Sequence, residues 1–213
     1  MRRNSMDIKV QEYNTGNIDK YSTKNKLKRA MVERFDKKIL DLIGTLLEKE
    51  DLSSLLDAGC GEGIVANMIS EKYPMLKVTG IDGAKEAVKY ANSKYSNIEV
   101  LEDNIYDLSL DDNSFDIVIC SEVIEHLNEY PIAIKELLRV AKSKIIITVP
   151  NEPWFCLGNL VSLHNVSRLG NPIDHVNHWT YPGFKRMINT QFKGVKGISF
   201  YRSFPWQIAV IDI

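Results

Sequence analysis

The amino-acid sequence predicts an α/β fold with a mostly parallel, doubly wound sheet and helices on both faces. Short β-rich runs alternate with helical stretches between residues 54 and 149, strand candidates such as IVIC and IIITV are continuously apolar, and a glycine loop follows the first strand directly. With 213 residues, 44% hydrophobic, 26% charged and 9% aromatic, the composition is that of one globular domain, which excludes disorder and collagen-like repeats.

Residues before 25 are polar and aperiodic and read as a loose arm. From Asn25 to Glu50 apolar residues recur at Leu27, Met31, Phe35, Ile39, Leu42, Ile43, Leu46 and Leu47, the spacing of an amphipathic helix. Strands are then expected at Ser54–Ala58, Lys77–Asp82, Ile98–Leu101, Phe115–Cys120 and Lys144–Val149, with helices at Ile64–Lys72, Lys85–Asn92 and Ile132–Val140. Residues 150–181 read as a long irregular insertion, punctuated by proline and glycine and holding three of the four histidines. Phe184–Ile188 suggests a helix. Gly194–Tyr201 and Gln207–Ile213 suggest a hairpin at the sheet edge, joined through Ser203, Phe204 and Pro205. The expected organisation is one structural domain, with residues 1–50 as an arm and helices over the site and residues 51–213 as its body.

Cys60, Cys120 and Cys156 are odd in number and scattered, with no CxxC spacing, so a disulfide framework and a zinc ribbon are excluded. The opening MRRNSMDIKVQEYN lacks the apolar stretch of a leader and no apolar run approaches ~18 residues, so a cytoplasmic location with no membrane span is expected. The net charge of −1 conceals an asymmetry. Residues 1–40 carry 11 basic against 5 acidic side chains, residues 41–130 carry 6 against 19, and residues 131–213 carry 10 against 4.

The sharpest local signal is LLDAGCGEG at Leu55–Gly63, a strand running into a glycine loop and then a helix. Glycines there let backbone approach a ligand closely at the carboxyl end of a strand. Gly59, Gly61 and Gly63 give GxGxG, whereas the dinucleotide fingerprint wants its third glycine where Ile64 stands. Asp57 beside the loop repels a pyrophosphate and attracts an amine or sulfonium, so the loop suits a ligand without phosphates. Asp82 ends the next strand, where a carboxylate accepts from both ribose hydroxyls, and Asp103 follows the third, within reach of an exocyclic amine.

Taken in order, LLDAGCGEG, VTGID, the EDNIYDLSLDDNSFDIVICSEVIEHL block and KSKIIITVPNE resemble the class I S-adenosylmethionine-dependent methyltransferases over residues 50–190. The resemblance implies a Rossmann-like sheet of seven strands with the last antiparallel, and S-adenosyl-L-methionine as cofactor. By it, Asp57, Gly59, Gly61 and Gly63 border the methionine part, with Ala58 and Cys60 between them. Asp82 holds the ribose, Gly83 packs near the adenine, Asp103, Asn104 and Ile105 flank the adenine ring, and Ser121 faces the transferred methyl. A short-chain dehydrogenase is suggested only by the YxxxK pair Tyr90 and Lys94, which falls too early in the chain. A non-catalytic cofactor-binding member of the fold is the alternative from another functional class.

In SEVIEHL, the spacing of three and four places Glu122, Glu125 and His126 on one face if the segment is helical. This block resembles the small-RNA 2′-O-methyltransferases that modify the 3′ end, whose ExxEH group and a distant histidine hold a metal ion. By that resemblance Glu122, Glu125 and His126, with His175 or His178, form the alternative metal set. DHVNHWT departs from the DHxFEWT of those enzymes at His178, and similar blocks occur in metal-independent methyltransferases, so no metal is expected. His126 is the first candidate base, with His175 and His178 as alternatives. Trp154, Phe155 and Trp179 are candidate walls for an aromatic acceptor, and Lys24, Lys26, Lys28, Arg29 and Arg168 a basic rim for an anionic one. The expected acceptor is a small molecule, methylated at a hydroxyl, amine or carbon, with an RNA 3′ end as the alternative.

Overall fold

The computed structural model describes residues 17–161 and 174–213. Among the described residues the elements in chain order are α1 Asn17–Tyr21, α2 Lys26–Leu47, β1 Ser54–Ala58, α3 Ile64–Lys72, β2 Lys77–Asp82, α4 Lys85–Lys94, β3 Glu99–Glu102, β4 Phe115–Ser121, α5 Tyr130–Val140, β5 Ala141–Pro150, α6 Trp154–Val161, α7 Tyr181–Gln191, β6 Gly197–Ser203 and β7 Trp206–Asp212. A single 3-10 turn, Ile124–His126, lies between β4 and α5. Among the described residues no helix is long and apolar enough to cross a membrane.

All strands join one sheet in the order β3-β2-β1-β4-β5-β7-β6. β3, β2, β1, β4 and β5 are mutually parallel, and β7 runs antiparallel to both β5 and β6. Alternation along each buried strand divides the core in two. Leu55, Ile117, Ile119, Ile146, Ile208 and Val210 meet α2, α3 and α4 on one face. Leu56, Val118, Cys120, Ile145, Ile147 and Ile211 meet α5 and α7 on the other. Both faces being covered explains why these strands read as unbroken apolar runs.

α2 starts where the Asn25 side chain accepts the Leu27 and Lys28 N–H groups at 3.0 and 3.1 Å, and it buries Val32, Phe35, Ile39, Leu42 and Ile43 at helical spacing. The winding reverses at β1, whose neighbours are β2 and β4, so the crevice outside the carboxyl ends of β1 and β4 is where a ligand binds in a sheet of this topology.

Two expectations are corrected. Residues before 25 are not all loose, because 17–21 form α1, fixed by tertiary contacts of Lys20 and Tyr21. The stretch 150–181 is not wholly irregular, because Trp154–Val161 is helical, entered from Pro153; residues 162–173 lie outside the described part. The last two strands form the expected hairpin at the sheet edge through Phe204 and Pro205, with β7 between β5 and β6 and β6 outermost.

Candidate active site

β1 delivers Asp57 to its carboxyl end, and the chain then turns through Gly59, Gly61 and Gly63, with φ of +81°, +54° and +73°. Glycine takes these values without the steric cost a side chain brings. At Gly59 the conformation is doubly enforced, since a Cβ would stand 2.5 Å from Val123 Cγ2.

Asp57 is 2% exposed and its Oδ2 is buried without a hydrogen-bond partner among the described residues. Burial, assisted by the nearby Asp82 carboxylate, pushes the Asp57 carboxyl up to about 7, against a bond from the Ala66 backbone. A buried acceptor at the glycine loop fits the cationic methionine end of S-adenosylmethionine. Asp82 accepts from Gly61 N–H at 2.7 Å and Ala84 N–H at 2.8 Å, one on each oxygen. This orients the carboxylate and leaves each oxygen a second lone pair for a ribose hydroxyl. Burial raises its carboxyl above the usual range, offset by those two N–H groups.

Asp103 is joined to this corner by its N–H, which donates to the Asp82 carbonyl at 3.2 Å. Its carboxylate accepts from Asn104 N–H at 2.8 Å and Ser109 N–H at 3.0 Å, so it also staples its own loop. A Cβ built on Gly83 meets only the Asp103 carbonyl, at 3.8 Å, leaving the space before it open. Ile105 packs against the second core, and Ser121, ending β4, shares a 2.9 Å hydroxyl contact with Thr148 of β5. The cofactor candidates are thus gathered on the carboxyl edge of β1, β2, β3 and β4.

Of the metal candidates, Glu125, His126 and His175 bring one ligand atom each within 4.8 Å of one another, whereas Glu122 is engaged elsewhere. Glu122 precedes the 3-10 turn and has φ +57°, uncommon for a residue with a side chain. Its carboxylate accepts from the Lys20 ammonium of α1 and from the Trp206 indole N–H of β7. These partners hold its carboxyl below the usual range in spite of burial. Lys20 in turn lies over the rings of Tyr21, Phe35 and Trp206, 5.2 to 5.6 Å from their centroids. Glu125 is instead 1% exposed, with neither carboxylate oxygen hydrogen-bonded among the described residues, and burial and the Glu122 charge push its carboxyl up. The two acids thus shift in opposite directions, although the Glu122 charge still acts on both Glu125 and His126.

His126 Nδ1 lies 3.0 Å from the Asp174 carbonyl. A carbonyl only accepts, so Nδ1 carries the proton and Nε2 keeps its lone pair. Burial holds the ring's pKa below the usual range, against the pull of Asp174. His175 crosses His126 edge-on, with centroids 4.9 Å apart, and stacks on Phe155. Val176 and Asn177 donate their N–H groups to the Glu125 carbonyl, both at 2.9 Å, which fixes the histidine segment against the 3-10 turn. Trp179 packs on Tyr130 within the second core, Trp154 is half exposed beside Phe204, and Lys24, Lys26, Lys28 and Arg29 are exposed around the start of α2. Arg168 lies outside the described residues.

Sequence reasoning missed Lys20, Tyr21, Glu152 and Trp206. Their contacts are long-range. The nearest signals are an acid two residues after β5 in VPNEPW and an indole opening the last strand.

Residues 56–147 match the methyltransferase domain family. Over that stretch the chain is similar to S-adenosylmethionine-dependent methyltransferases. A probable S-adenosylmethionine-dependent methyltransferase of Mycobacterium tuberculosis is 34% identical over 106 residues, 49% of this chain and 38% of that protein. The demethylmenaquinone methyltransferase of Chlorobaculum tepidum is 35% identical over 96 residues, 45% of this chain and 39% of that protein. The chain thus spans about two-fifths of the length of these relatives. Magnesium protoporphyrin IX methyltransferase from Synechocystis PCC 6803, crystallised with bound SAH, shares the fold at a TM-score of 0.66 and 17% identity, over 93% of this chain and 94% of that one.

Proposed function

We propose that this protein transfers a methyl group from S-adenosylmethionine to a hydroxyl or amine of a small molecule, with His126 as the base. The observation that carries the reading is the orphaned, buried Oδ2 of Asp57 at the mouth of a three-glycine loop, with the Asp82 carboxylate already oriented across from it. When bound, the cofactor supplies a methyl group activated by the sulfonium. The chain's part is to hold that group, exclude water and remove the acceptor's proton.

Asp57 and the loop take the methionine end, Asp82 takes the ribose hydroxyls, and the loop of Asp103, Asn104 and Ile105 borders the adenine. Ser121 and the neighbouring Glu122 lie at the end of β4, beside the transfer position. His126 is suited to accept a proton because its Nδ1–H is fixed on Asp174 and burial keeps the ring neutral near pH 7. The exposed Lys24, Lys26, Lys28 and Arg29 support an anionic acceptor. The engagement of Glu122 by Lys20 and Trp206 argues against the metal-dependent RNA reading, which needs that carboxylate.

Incubation with methyl-labelled cofactor and a cell extract tests the proposal. Label is expected in the small-molecule fraction and is expected to be lost with His126→Asn. Label in RNA would replace this reading by the RNA one. Cofactor binding with no label transferred anywhere would leave a non-catalytic member of the fold.

A further inference from the structure

Two segments of the chain bring a second group of side chains together. Glu152 follows β5, and His175 and His178 come from the segment ahead of α7. Glu152 is 7% exposed and its Oε1 is buried without a hydrogen-bond partner among the described residues. Nδ1 of His175 lies 3.8 Å from that oxygen and Nδ1 of His178 lies 3.9 Å from it. Both separations exceed hydrogen-bonding range. Two donors each about 2.1 Å from one tetrahedral ion lie about 3.4 Å apart, so each histidine–Glu152 pair needs a contraction of about half an ångström, and the three ligand atoms already lie within 4.8 Å of one another.

The group is also held from behind. Glu152 Oε2 accepts from the Cys156 N–H at 3.2 Å, which aims Oε1 towards the histidines. The Glu152 N–H donates to the Trp179 carbonyl at 3.0 Å, tying the acid to the residue after His178. Such outer bonds fix ligand orientation at metal sites. A buried carboxylate oxygen with no donor is costly, and a cation removes the cost.

We propose that Glu152, His175 and His178 bind one divalent transition-metal ion of the zinc or cobalt type. Two imidazoles and one carboxylate favour such an ion over magnesium, which prefers an all-oxygen shell. The site differs from the ExxEH set, because Glu122 is committed to Lys20 and Trp206. His178 is the most exposed of the three ligands, at 39% of its side chain, so the remaining coordination positions open on its side. A water or an anionic oxygen of the acceptor fills them. That last role rests on the methyl-transfer reading, whereas ion binding does not.

The test is titration of chelator-treated full-length protein with cobalt(II), read by its visible absorption, and with zinc(II), read by calorimetry, both without cofactor. The proposal expects one equivalent bound with a dissociation constant of about 10 μM or tighter, equivalent to about −7 kcal/mol. Glu152→Gln and His178→Asn are each expected to weaken binding at least 30-fold, and Glu122→Gln by less than 3-fold. His178→Asn, at a partly exposed position, keeps the test decisive if Glu152→Gln fails to fold. No binding at 100 μM ion overturns the proposal. So does binding that survives both variants, or that is lost with Glu125→Gln and kept with Glu152→Gln, which assigns the ion to Glu125, His126 and His175. Methyl transfer failing while these titrations succeed overturns the functional proposal alone.

Discussion

Lys20 of α1 donates its ammonium to the Glu122 carboxylate at the end of β4, 102 residues further along the chain. The two side chains are only 16% and 20% exposed, and this pair fastens the five-residue α1 against the carboxyl edge of the sheet. A helix this short has no stability of its own. Its placement depends on tertiary partners: Glu122 for Lys20, and Asp36, which accepts the Tyr21 hydroxyl at 3.0 Å.

Removal of one partner leaves the other's charge partly buried. In a double-mutant cycle of Lys20→Met and Glu122→Gln, urea unfolding is expected to give a coupling energy of about 1–3 kcal/mol, against less than about 1 for an exposed pair. Hydrogen exchange at 17–21 is expected to rise sharply in Lys20→Met. A coupling near zero with unchanged exchange would show that α1 is held by Tyr21 alone.

The raised Asp57 carboxyl, at about 7, makes a prediction with a definite sign. The native state holds this proton more tightly than the unfolded chain, whose aspartate titrates at about 3.9. The stability linked to it is full below about pH 3.9 and is lost as pH rises through 7. Asp57→Asn, which stays neutral, is expected to gain in melting temperature relative to the native sequence on going from pH 5 to pH 8. A constant difference across that range would contradict the assignment.

Gly59→Ala is expected to destabilise the protein by about 2 kcal/mol, combining a positive φ with the clash against Val123. Adding Val123→Ala removes the steric part and is expected to restore about half in chemical denaturation. No restoration would place the whole cost in the backbone.

If the acceptor is anionic, label transfer from methyl-labelled cofactor into extract is expected to fall steeply between about 50 and 200 mM salt at fixed pH. A flat profile would show that Lys24, Lys26, Lys28 and Arg29 are solvated faces only.

The parts of the fold legible in the sequence were those fixed locally. Ser54–Ala58, Ile64–Lys72 and Lys77–Asp82 have the bounds expected, because strand, glycine loop and helix announce themselves within a few residues. α1 was not legible, since nothing within 17–21 favours a helix without Lys20 and Tyr21 docking elsewhere. α6 was obscured by the surrounding prolines and glycines, although Pro153 before an apolar run is itself a helix-start signal. In the site, the acids at successive strand ends could be read from period and position. The partners of Glu122 and Glu152 could not, because Trp206 reaches Glu122 by β7 inserting beside β5, and the histidine segment is tied to Glu152 by the long-range bond from its N–H to the Trp179 carbonyl.

The central claim is that the edge holding Asp57, Gly61 and Asp82 binds S-adenosylmethionine, and calorimetric titration of the purified protein tests it most directly. The prediction is saturable binding of one equivalent, weakened by about 1.5–3 kcal/mol in Asp82→Ala, the cost of losing charge-assisted hydrogen bonds to the ribose, and abolished in Gly61→Val. Unchanged affinity in both variants, or no binding by the native sequence, would contradict the account.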